Sequence, residues 1–118
     1  MISIQELHDQ AMALNDDAFA ARRCGALDLM KQKFLEAFPL EEAAAIRAKY
    51  ENIGEPTESV LLRSAATIAL DAGLYRKAEK LACLALSGDP PDEIAEELRE
   101  VLEKVSVHTP RKHLISTS

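Results

Sequence analysis

The segment from Thr57 to Ala72 constrains the fold of this chain more than any other. Val60, Leu61, Leu62, Ala65, Ala66, Ile68, Ala69 and Leu70, set at helical spacing, spread apolar side chains over most of a helix circumference. A single stripe stays polar: Arg63, Thr67 and Asp71 at i, i+4 and i+8, with Ser64 beside it. A helix apolar nearly all round has to be enclosed by neighbours. Composition says what those neighbours are. Apolar residues make up 47% of the chain and charged residues 29%, while 4 glycines and 5 prolines are too few for a sandwich or barrel. The chain is expected to be all-α, and its 118 residues have room for one core and not for two.

About six helices are predicted. Ser3-x-x-Glu6 has the form of a capping box, in which hydroxyl and carboxylate each satisfy a free backbone N–H. The helix it opens carries Leu7, Ala11, Leu14, Ala18 and Ala21 to about Arg23, through the polar run Asn15-Asp16-Asp17. Gly25 breaks the pattern. A second helix bears Leu27, Met30, Phe34 and Phe38 and is expected to end at Pro39, since a proline disfavours helical geometry in the residue before it. A third spans Leu40 to Tyr50, with Glu41 and Glu42 in its first turn and Arg47 and Lys49 near its end, the order that suits the helix dipole.

Asn52-Ile53-Gly54-Glu55-Pro56 is the clearest loop and the joint between the two halves. Thr57 is placed to cap the central, fourth helix, which Gly73 ends. The fifth presents Tyr75, Ala78, Ala82, Ala85 and Leu86 on its inner face and stops at Gly88. Asp89 and the following prolines suit the start of a sixth. That helix sets Ile94, Leu98, Val101, Leu102 and Val105 against a charged face of Glu93, Glu96, Glu97, Arg99, Glu100, Glu103 and Lys104. Residues 1–105 thus read as one domain with halves 1–52 and 57–105. Residues 106–118, with Arg111, Lys112 and no acid, read as a flexible tail.

Residues 59–92 resemble a tetratricopeptide repeat: Ala66, Gly73, Tyr75, Ala78, Ala82, Ala85, Leu86 and Pro90 fall at the family's intervals. Small residues let two antiparallel helices approach, glycine makes the turn and proline starts the next helix. Leu62 and Ala69 stand where the family has large aromatics, and Ala82 is smaller than usual. Ala18, Gly25, Leu27, Phe34 and Ala37 form a fainter upstream copy without the proline. The segment from Leu61 to Leu98 is also similar to small bacterial helical-repeat proteins of no assigned activity.

The resemblance implies antiparallel hairpins stacked as a short right-handed solenoid, with a concave groove for a peptide or partner helix. Carried over residue by residue, it puts Val60, Arg63, Thr67, Leu70 and Asp71 on that groove. Periodicity independently makes Arg63, Thr67 and Asp71 the polar stripe, and the alternative is that Arg63 and Asp71 only pair with neighbouring helices or solvate an edge. Such stacks need about three repeats to stand alone, so the third and sixth helices, or another chain, are expected to supply the caps.

Chemistry-bearing residues are sparse. No phosphate loop, dinucleotide-binding glycine motif or H-E-x-x-H pair occurs. Cys24 and Cys83, far apart and without ligand spacing, read as buried small hydrophobes. Arg22 and Arg23 beside Cys24 would suit a reactive thiol, but no histidine is near in sequence. His108 and His113 lack further ligands for a metal. Asp16-Asp17 and Glu41-Glu42 read as solvated pairs, and the glutamates of the sixth helix as an outer face in water.

With 20 acidic against 14 basic side chains, a net charge of −6 disfavours a nonspecific nucleic-acid binder. The first residues lack a signal-peptide pattern and no apolar run is membrane-length; a cytoplasmic location is the expectation. The sequence therefore points to a non-enzymatic protein-interaction module, an adaptor or regulatory subunit without cofactor or metal. A homo-oligomeric assembly unit, self-associating through the open edge of an incomplete stack, is the alternative.

Overall fold

A computed structural model describes residues 2–109. They form five helices and no strand: α1 (Ile4–Arg23), α2 (Leu27–Tyr50), α3 (Thr57–Asp71), α4 (Tyr75–Leu86) and α5 (Asp92–His108). The N-terminus folds as its sequence dictates. Ser3 Oγ accepts from the Glu6 backbone N–H at 3.0 Å, the Glu6 carboxylate accepts from the Ser3 N–H at 3.1 Å, and α1 runs unbroken through Asn15-Asp16-Asp17.

The expected count of six is corrected to five, because Pro39 lies inside α2 and not at its end. Its ring faces solvent, and Leu35, whose carbonyl loses the usual helical donor, is also exposed. On the opposite side Phe34, Ala37, Phe38, Glu41, Ala44, Ala45 and Ala48 are buried as one continuous face. An interior proline costs about 3 kcal/mol, whereas burying two phenylalanines returns roughly 1.5–3 kcal/mol each. Burial wins, and the helix continues.

Three smaller expectations are also revised. Thr57 does not cap α3 with its side chain. Instead the Glu55 carboxylate takes the Ser59 backbone N–H at 3.0 Å and the Ser59 hydroxyl. Asp89 makes no cap bond either; Pro91 occupies the N-cap of α5. Finally, α5 extends past Val105 to His108, whose ring stacks on Tyr75 with centroids 4.5 Å apart and planes 1° from parallel. Ser106, Val107 and His108 are therefore helical, and the rest of the expected tail, from Pro110 on, lies outside the described residues.

Side-chain contacts give the helix directions. Arg47 Nη1 donates to the Ile2 carbonyl at 2.6 Å, His8 reaches Glu41, and the Phe19 ring meets Phe34 edge-on at 5.5 Å, so α1 and α2 are antiparallel. Glu42 pairs with Lys77 at 3.8 Å and Ile46 shares a depression with Leu84, so α2 and α4 run parallel. Ile4 and His8 lie by Val60, and Asn15 and Phe19 by Ser64 and Thr67, so α1 and α3 run parallel as well. Arg63 meets Glu97 of α5 and, further along both helices, Asp71 faces Lys104, so α5 runs parallel to α3 too. Helices α1, α3 and α5 thus form one layer and α2 and α4 the other, and the shortest dimension of 25 Å fits two helix diameters.

The core between the layers is built largely of alanine. Ala65, Ala66, Ala69 and Ala72 of α3 and its C-cap are buried with Ala78, Ala82 and Ala85 of α4, and Leu61, Leu62, Leu81 and Leu98 fill the wider spaces. Small side chains let backbones close up where larger ones would hold them apart. Gly73, at φ +81°, makes the turn between these two helices in a conformation that a Cβ would strain.

Candidate functional site

The polar stripe of α3 comes to lie in the valley between α1 and α5. There Arg63, Ser64, Thr67, Ile68 and Asp71 join Asn15 and Phe19 of α1 and Glu97 of α5 around a depression of about 260 Å³. Thr67 Oγ1 donates to the Arg63 carbonyl at 2.9 Å, a bond along its own helix that uses its one O–H and leaves the oxygen able to accept. Arg63 Nη1 donates to both Glu97 oxygens, at 3.1 and 3.3 Å. The residue expected on the groove and the pairing offered as its alternative are therefore both present: Arg63 lines the depression while bridging α3 to α5.

Asp71 stands at the far end of the depression, half-buried and with no hydrogen bond or ion pair among the described residues. Burial pushes its carboxyl above the usual range, and the attraction of Arg22 and Lys104, which act against this, does not cancel it. The sign for stability follows. A carboxyl with a raised folded-state pKa favours the fold while protonated, and this contribution fades as pH rises from the ordinary value of 3.8 through the folded one.

The other two expected groove residues separate. Val60 lines a second depression of about 290 Å³ toward the start of α3, with Ile4, Gln5, His8 and Thr57. Leu70, on the same face one turn beyond Thr67, is half-buried and packs against the core without lining either depression. The stripe from Val60 through Arg63 and Thr67 to Asp71 covers about 16 Å of valley at the helical rise.

Three site residues were not anticipated. Asn15 and Phe19 lie at i and i+4, one face of α1, a signal hidden because Asn15 heads a polar run whose aspartates read as solvated. Glu97 was assigned to solvent because it lies among glutamates. Elsewhere, Glu41 proves fully buried, and the His8 Nδ1 lies 2.9 Å from each of its oxygens. Both cysteines, expected inside, are exposed: Cys24 caps the end of α1 and Cys83 sits on the outer face of α4. Among the described residues no cluster of His, Cys, Asp or Glu is arranged to hold a metal, and no helix is long and apolar enough to cross a membrane.

A scan against protein-family models and searches of curated proteins and of solved structures match nothing.

Proposed function

We propose that this chain is a non-enzymatic interaction module, an adaptor or regulatory subunit, built as a short tetratricopeptide-like stack that takes a peptide or helix along the valley beside α3. One observation carries the reading: a buried helix spends its only polar stripe on a recess walled by two parallel neighbours, where core packing has no need of it. About 16 Å of valley matches three turns of a partner helix or roughly five residues of extended chain. Parallel α1, α3 and α5 agree with a solenoid whose first helices line its concave side.

A photo-activated cross-linking residue in place of Thr67 tests this in the native cell. A discrete protein adduct is expected from that position and none from the same residue in place of Glu79, exposed on α4. Equal adducts from both positions, or none, remove the valley from consideration.

A further inference from the structure

The groups around the α1–α3–α5 depression are unevenly matched. Its acceptors are the Asn15 side-chain oxygen, buried and without a hydrogen-bond partner among the described residues, the Asp71 carboxylate and the Glu97 carboxylate. Its one charged donor, Arg63, is already committed to Glu97, and the Thr67 hydroxyl to its own helix. Unpaired acceptors in a recess are costly until a donor arrives. An Asn amide exchanges its two ends by half a turn about the terminal torsion, so Asn15 can present its oxygen to whichever side supplies that donor.

Resting on the groove reading above, we infer that this depression takes a lysine or arginine side chain of the partner peptide, with Asn15 Oδ1, Asp71 and Glu97 as its acceptors. An ammonium offers three donors and a guanidinium five, and neither has an acceptor that would clash with this lining. The volume of about 260 Å³ lies below that of pockets that enclose whole small molecules and suits the end of one side chain.

Two cations of the chain face Asp71, Arg22 from the end of α1 and Lys104 from α5. Neither forms an ion pair with it within 4.0 Å, so a third cation displaces no bond. That Asp71 is still held above its usual range means that its burial is under-compensated where it stands. Beyond the recess, exposed Glu93, Glu96, Glu100 and Glu103 of α5 and a net charge of −6 draw a basic peptide in.

The full chain, immobilised and panned against a random dodecapeptide display library, tests this. Enriched peptides should share a lysine or arginine. Asp71→Asn should weaken their capture by at least about tenfold, and Glu79→Gln should not. Asp71→Asn is also expected to melt no lower than the parent at neutral pH, which separates lost recognition from lost folding. Peptides enriched without a basic residue, or held equally by Asp71→Asn, overturn the cation assignment and leave the groove standing. No enrichment at all overturns both.

Discussion

At the residue scale, His8 and Glu41 carry more of the energy than their places in the sequence suggest. A carboxylate with no exposure is tolerated only with a partner, and among the described residues Glu41 has one, the part-exposed imidazole of His8. Exposed pairs such as Arg99–Glu96 are worth about 0–1 kcal/mol, whereas breaking a buried pair costs about 3–5 kcal/mol because the survivor stays buried. His8→Ala is therefore expected to lower unfolding free energy by about 3 kcal/mol in urea titration. His8→Leu with Glu41→Leu together should restore most of it, since two apolar groups leave no orphan charge. A loss under about 0.5 kcal/mol in the single variant would mean that Glu41 finds another partner.

At the scale of the element, α2 is a helix that continues against a local signal. The missing N–H of Pro39 and its clash fall on the side where Pro39 and Leu35 are exposed, and the helix is held by its buried face. The proline then contributes nothing that packing requires. Pro39→Ala is expected to raise stability by about 2 kcal/mol, the helix-propensity gain less the entropy that proline removes from the unfolded chain. The urea midpoint should rise with the slope unchanged. A lower midpoint would show that a bend at Pro39 is needed to bring Phe34 and Phe38 onto the core together.

For the whole molecule, the question is whether the C-terminal half can fold alone. Helix α3 is covered from the other half as well as its own: Leu61 adjoins Ile4 and His8, and Ile68 adjoins Asn15 and Phe19. Helix α2 also packs along α3, so removing residues 1–56 bares Leu61, Ile68 and part of its α2-facing side, forfeiting on the order of 3–6 kcal/mol, comparable to the stability of a small domain. The fragment 57–118 is expected to be molten or self-associated, despite the clean helix signals of α4 and α5. Sedimentation with thermal melting checks it: a sharp, monomeric, cooperative transition would make the N-terminal hairpin an appended arm.

What could be read from the residues alone is what depends on near neighbours along the chain. The capping box at Ser3 and Glu6, the turns at Gly25 and Gly73, the loop at 52–56, the all-α class and the enclosed α3 follow from spacing and from local hydrogen bonds. Arg63, Thr67 and Asp71 could be picked as a stripe because three positions at i, i+4 and i+8 must share a face. Tertiary structure decided the rest. Whether Pro39 ends a helix depends on which side faces water, and whether Glu41 is wet depends on where His8 arrives from another helix. Leu70 packs against the core instead of lining the recess, and Asn15, Phe19 and Glu97 entered the site from helices whose packing no local pattern records. A recess between three helices is a property of their arrangement, and burial, which sets the cost of Asp71, exists only once that arrangement has formed.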